Sequence, residues 1–343
     1  MSNQTSNTTL TDLSFFNWVG QFTADFLLIA NLLMTPMGLV ANTLSIFVFL
    51  GKRFESNFIR NYYITIAIYD NLTAIIAFIY LFPFGFRLDL QIMSVVSCRL
   101  IAYYIRIIPQ MSAWVNVMLT IDMLSTVKRV KRNGLLQNTK TFIIAMILLL
   151  VLFHLVDAPN LWLRLENVES GNTTRVICTG DPFIVLFRDL ISQVFRVYMP
   201  YITVFFLNLW LIKILTQSKR KVLNNTSRKD WSFAFSIMSM NVFYCINSAP
   251  LSVIIILTQI NANDSYYRSY ITIFSLFATY LNMFNHYFTI FINLKFNKIF
   301  RLEFKDLMRK WLRLKAKQRI RFAEDNSLSY SNSIKPFDQS IKL

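Results

Sequence analysis

Glycine and histidine are scarce in this chain of 343 residues, with seven Gly and two His. His154 and His286 are too few for a seven-span metal hydrolase, which needs several His ligands. Seven Gly leave no Gly-rich site for a Ser–His hydrolase. Nor is there a Gly-x-Gly-Asp setting to supply Asp70 with the second carboxylate of an intramembrane aspartyl protease. Internal repeats and broken Gly-rich helices, the marks of many transporters, are also missing. No enzyme is expected. Three Cys allow one bridge and a remainder. Acidic residues are few, 18 Asp and Glu against 35 Lys and Arg, which gives a net charge of +17. No cleavable signal peptide is visible, so the first apolar segment is expected to start translocation.

What is present is apolar. Hydrophobic residues make up 55% of the chain, aromatics 15%, and the mean hydropathy is +0.43. Seven runs approach or exceed the roughly 20 residues a spanning helix needs: 26–50, 62–84, 100–127, 141–163, 190–216, 231–258 and 270–293. None alternates as barrel strands do. The expected fold is an all-α membrane protein, a seven-transmembrane helix bundle with a C-terminal amphipathic interfacial helix. Basic residues alternate with the runs. Residues 1–25 hold no Lys or Arg, while Lys52, Arg53 and Arg60, the cluster from Lys128 to Lys140, the cluster from Lys219 to Lys229, and the tail from Lys295 share one side. The opposite side has scattered Arg87, Arg164, Arg175, Arg188 and Arg268. The positive-inside rule then places the N-terminus outside, in a multi-pass plasma-membrane protein. Nucleic-acid binding is excluded, because the basic clusters are separated by spans and form no single face.

This orientation organises the rest. Residues 1–25 read as a glycosylated extracellular segment with sequons at Asn3 and Asn7; Asn172 is a third, in an outer loop. Cys98 and Cys178 both fall in the oxidising compartment and are expected to pair; two unrelated free thiols are the alternative. Cys245 lies mid-run, as a small core residue. Residues 26–293 form the membrane domain. In 294–312, Phe296, Phe300, Phe304, Leu307 and Trp311 recur at helical spacing opposite Lys298, Arg301, Lys305 and Arg309. That pattern predicts a helix lying on the lipid surface. Residues 313–343 are basic, then polar and disordered, with Ser327, Ser329, Ser331 and Ser333 open to kinases and arrestin or simply solvated.

Several short motifs occur in order. Gly38-Leu-Val-Ala-Asn42, Ile66-Ala-Ile-Tyr-Asp70, Ser112, Asp122-Met123-Leu124, Pro200, Tyr244-Cys-Ile-Asn-Ser248-Ala-Pro250 and Asn285-His286-Tyr-Phe-Thr289 follow one another along the runs. Over residues 26–312 their order and spacing resemble the rhodopsin-like G-protein-coupled receptors, of a divergent invertebrate type loosely similar to FMRFamide and other neuropeptide receptors. The resemblance implies an activation switch at Asp122, Met123, Pro200, Tyr244, Ser248, Pro250, His286 and Thr289. It also implies a polar core of Asn42, Asp70, Ser112, Asn282 and Asn285 that holds Na+ at Asp70. A protonated Asp70 bonded to waters is the alternative. The partners implied are an extracellular ligand, a peptide first, and a heterotrimeric G protein.

The departures bear on function. Met123 stands where the family has Arg, Ser248 where it has Trp, and His286 and Thr289 where it has Pro and Tyr. Met123 has no charge and no donor, so weakened restraint of the inactive state is expected. Small Ser248 and Ala249 beside Pro250 suggest a looser or deeper pocket floor than usual. Pro109, Pro159, Pro200 and Pro250 are expected to kink their helices. The ligand pocket is expected among Tyr103, Arg106, Gln110, Asp189, Gln193, Arg196 and Gln259. The two Arg either bind a ligand carboxylate or pair with Asp157 or Asp189. Acidic outer loops suggest a vestibule for a basic peptide, or plain solvated charge. A small-molecule chemosensory receptor and a non-coupling decoy are the alternatives to a peptide receptor.

Overall fold

In the computed structural model, residues 10–55, 58–128, 138–170, 173–219, 225–257 and 265–313 are described. Ten helices and one hairpin are found among them: α1 Leu10–Phe49, α2 Ile59–Leu81, α3 Val95–Lys128, α4 Thr139–Val156, β1 Arg164–Ser170, β2 Thr173–Thr179, α5 Pro182–Gln193, α6 Met199–Lys219, α7 Asn225–Leu257, α8 Ser265–Tyr287, α9 Thr289–Phe296 and α10, 298–313. Six helical segments are long and apolar enough to cross a membrane: Ser14–Phe49, Ile59–Phe86, Val95–Thr126, Thr139–Val156, Pro182–Ile214 and Phe233–Ile254. The chain is therefore a multi-pass helical membrane protein.

The seventh run differs from expectation. Residues 270–293 straddle a break at Phe288 (φ −115°, ψ 12°) between α8 and α9. Helix α8 falls short in hydropathy because its face towards the other helices carries Asn282, Asn285 and His286, and its first turns carry Ser, Tyr and Arg268. It nonetheless packs against α7, α1 and α2. The first helix also starts earlier than expected, at Leu10. Its aromatic first turns stack on α8, with Phe15 and Tyr266 at 5.6 Å.

Small residues and aromatics set the packing. A Cβ on Gly38 would meet the Tyr287 ring, 2.9 Å from its Cγ, so only Gly lets α1 approach α8 so closely. At the end of the bundle carrying the α1–α2 turn, Phe49 stacks on Tyr63 at 4.4 Å and contacts Phe300 at 5.0 Å. Arg53 of that turn pairs with Glu303 at 3.1 Å and Asp306 at 2.6 Å, docking α10. At the opposite end a disulfide joins Cys98 of α3 to Cys178 of β2, with Cα atoms 5.6 Å apart. It holds the antiparallel β1–β2 hairpin over the helices.

Two of the expected kinks are something else. Pro159 lies past the end of α4, in the short turn Ala158–Trp162. Pro200 follows a wide π turn, Val194–Tyr198, between α5 and α6. A helical proline clashes with the carbonyl four residues earlier, here that of Arg196. The wider turn removes the clash, and the Phe195 carbonyl accepts from Trp114 Nε1 at 2.8 Å. Pro36, Pro109 and Pro250 stay inside continuous helices.

Candidate functional site

The most buried ionisable pair is Asp70 of α2 with His286 in the last turn of α8. His286 Nδ1 lies 2.7 Å from Asp70 Oδ1, and the Ser112 hydroxyl donates to that same oxygen at 2.6 Å. All three residues are buried. Asn42 of α1 donates to the His286 carbonyl at 2.8 Å. Four helices, α1, α2, α3 and α8, thus meet around the Asp70–His286 contact. Beside it is a cavity of about 30 Å³, room for roughly one water, lined by Asp70, Ser112, Asn116, Tyr244, Asn285, His286 and Thr289 among others.

Of the oxygen set expected around Na+, Asp70, Ser112 and Asn285 share the small cavity, while Asn42 and Asn282 turn elsewhere. Asp70 Oδ1 is already bonded to two groups. Asn285 Oδ1 accepts from Asn247 at 3.0 Å, and Asn282 Oδ1 accepts from Ser248 at 2.8 Å. Asn42 turns its amide nitrogen to the backbone. A small cation would need several free oxygens around it, and His286 takes one of the two carboxyl oxygens of Asp70. No group of three His, Cys, Asp or Glu suited to a metal occurs among the described residues.

The Ser248 position is filled rather than hollow. Ser248 Oγ donates to Asn282 and accepts from Asn285 Nδ2 at 3.2 Å, tying α7 to α8. Ser248 is thus part of an amide network below the cavity-lining Asn282. A second network is centred on Asn241 of α7 and includes Asn116 of α3. Asn241 of α7 accepts from Asn116 at 2.8 Å and donates to Thr120 and to Asn208, each at 3.0 Å. Its only sequence signal is an amide inside an apolar run, the kind of group that bonds between helices in lipid. Met123 is a core residue, packed with Leu119, Leu211, Phe233 and Ile237. Asp122 is buried, and Thr126 donates to its carbonyl at 2.9 Å. Thr289 bonds back to the Asn285 carbonyl at 2.9 Å.

Near the disulfide lies a larger cavity, about 440 Å³. It is lined by Tyr80, Gln91, Ile105, Arg106, Arg188, Gln193, Arg196, Thr279 and Asn282, with apolar Ala77, Leu81, Leu251 and Met283. Arg106, Gln193 and Arg196 therefore share it. Asp189 sits behind two of its arginines, with Oδ1 accepting from Arg106 at 2.9 Å and from Arg188 at 2.8 Å. Arg106 also donates to Asn160. Tyr103 belongs elsewhere. Its ring packs with Ile107, Met111 and Phe153, and its hydroxyl donates to the His154 carbonyl at 3.2 Å. Gln110 is fully buried away from the cavity. Gln259 and the sequons Asn3, Asn7 and Asn172 lie outside the described residues. Arg188, expected as a scattered outer charge, is a cavity residue.

Of the acids expected around the mouth, Asp264 lies outside the described residues. Asp89 and Asp181 cap local turns, accepting from Gln91 N at 2.8 Å and Phe183 N at 2.9 Å. Glu166 pairs with Arg164 at 2.6 Å. These carboxylates are committed to their own loops, and the charged lining of the cavity is cationic.

No protein-family model matches the chain, and no curated protein resembles it.

Proposed function

We propose that the chain is a seven-helix, rhodopsin-like G-protein-coupled receptor, with α8 and α9 together as its seventh span, the N-terminus outside and α10 on the inner leaflet. One observation carries this reading: the two cavities are joined by a hydrogen-bonded line. Asn282 lines the large cavity and accepts from Ser248. Ser248 accepts from Asn285, which lines the small cavity beside Asp70 and His286. A ligand that moves Asn282 perturbs the α7–α8 contact and, through it, the four-helix junction. Coupling between distant sites requires such a physically connected element with two arrangements. The alternation of basic loops supports the orientation. The ligand is a neuropeptide, the G protein its partner, and the plasma membrane its place. The volume of the large cavity also lies in the range of small-molecule sites, which favours a chemosensory ligand as the second reading.

The test is G-protein activation in cells displaying the tagged chain at verified surface levels, with and without pooled invertebrate neuropeptides. A peptide-evoked signal that is lost in Ser248→Ala supports the reading. Silence at normal display, with small-molecule pools also silent, overturns it.

A further inference from the structure

We propose that the large cavity is built to bind a ligand through a carboxylate, carried on an apolar body. The inference rests on the receptor reading only in taking this cavity as the ligand site. Three guanidinium groups from three segments converge there: Arg106 from α3, Arg188 from α5 and Arg196 from the π turn. Charged side chains at membrane depth are costly and persist where they pair or serve a ligand. Two of the three share a single carboxylate oxygen, Asp189 Oδ1. Arg196 makes no ion pair within 4.0 Å among the described residues. Asp157 is the other nearby acid, buried and acting electrostatically on both Arg106 and Arg196, with neither carboxylate oxygen hydrogen-bonded. Three positive charges against two negative ones leave one positive charge in excess.

That excess defines the ligand. A guanidinium presents a planar fork of donors that fits a carboxylate at two points. Arg196 is the group with that fork uncommitted. Gln193, next to it in the chain by less than one turn, adds an amide to the same wall, and Thr279 and Asn282 add polar groups from α8. The remaining lining, Ala77, Leu81, Ile105, Leu251 and Met283, is apolar. A ligand with one carboxylate and an apolar body satisfies both parts. The π turn supplies the placement: one extra residue in a helical turn rotates the downstream helix by about 100° relative to the upstream one. Two sources carry this chemistry, a free organic acid and the C-terminal carboxylate of a peptide.

The experiment uses the full chain in lipid nanodiscs, without G protein, and follows thermal unfolding by tryptophan fluorescence. The probes are 4-phenylbutyrate, its neutral amide, an apolar hexapeptide with a free C-terminal carboxylate, and the same peptide amidated. The expected result is a rise in Tm of about 5 °C at saturation with at least one carboxylate probe and none with its amide. A response to the acid or to the free-ended peptide distinguishes the two sources. Arg196→Gln is expected to weaken that probe at least about tenfold while leaving the ligand-free Tm unchanged or higher, since an excess charge is removed. The proposal is overturned if acid and amide act alike, if no probe shifts Tm, or if Arg196→Gln lowers the ligand-free Tm and Asp157→Asn adds nothing further, which would make Arg196 an internal partner of Asp157. Binding without any cellular signal would sink the receptor reading and leave the carboxylate site standing.

Discussion

At the scale of the residue, His286 decides the chemistry of the core. Its Nδ1 shares a hydrogen bond with the Asp70 carboxyl, which sits among apolar helices, and its carbonyl accepts from Asn42. His286→Leu leaves Asp70 with Ser112 as its one side-chain donor. Removing one partner of a buried pair costs about 3–5 kcal/mol. We expect a Tm lowered by roughly 5–15 °C, with Asp70→Asn/His286→Leu recovering part of the loss in a double-mutant cycle. Replacing Na+ by K+ at constant ionic strength is expected to leave the wild-type Tm unchanged; a Na+-specific rise would show that the amide oxygens do turn to an ion. Met123 carries the second prediction. It is 1% exposed in the apolar cluster between α3, α6 and α7. Met123→Ala should cost about 2–5 kcal/mol, measured as the same loss of Tm. The sequence marked both positions as departures. It could not say that one is a hydrogen-bonding centre and the other a packing residue, because that depends on which neighbours each faces.

At the scale of the element, two attachments lie outside the apolar core. The Cys98–Cys178 bridge spans 80 residues and fastens the hairpin to α3. A loop of that length is stabilised by about 2–4 kcal/mol when closed. Cys98→Ser/Cys178→Ser should free β1–β2 and raise hydrogen exchange in 164–179 while sparing α1 and α2; unchanged exchange in the hairpin would argue against the tether. The other attachment is the Arg53–Asp306 contact. The hydrogen bond from Arg53 holds the Asp306 carboxyl below its ordinary 3.8, and the same bond raises the Arg53 guanidinium above its ordinary value. A lowered carboxylate contributes stability above its unfolded value and loses it as pH falls through the folded value. The contact should therefore hold at neutral pH and loosen below about 3.8. A spin label on α10 should gain mobility there, and Arg53→Gln should show that mobility already at neutral pH. Both groups are exposed, so the effect is local and screened by salt.

At the scale of the whole molecule, the distribution of charge predicts its orientation. An epitope at the N-terminus should be stained on intact cells, and one after α10 only after permeabilisation; the reverse pattern would refute the positive-inside assignment. The hydrophobic runs and the basic clusters between them were legible because transfer into lipid is nearly additive along the chain and needs no knowledge of neighbours; the helix expected over 294–312 instead begins at 298, after a break at Asn297. The run at 270–293 was less legible, since Asn282, Asn285 and His286 on α8 lower its hydropathy while serving its packing. The site was partly legible: Arg106, Gln193 and Arg196 share a cavity, but Tyr103 and Gln110 do not, and Arg188 was unforeseen. Composition and spacing alone determined that this is a multi-pass helical protein with polar groups at fixed depths. Only the tertiary structure decided which of those groups meet. Depth follows from a rise of about 1.5 Å per residue. Contact depends on how each helix is rotated about its axis, and a single π turn or one close Gly38 approach resets that rotation for everything packed upon it.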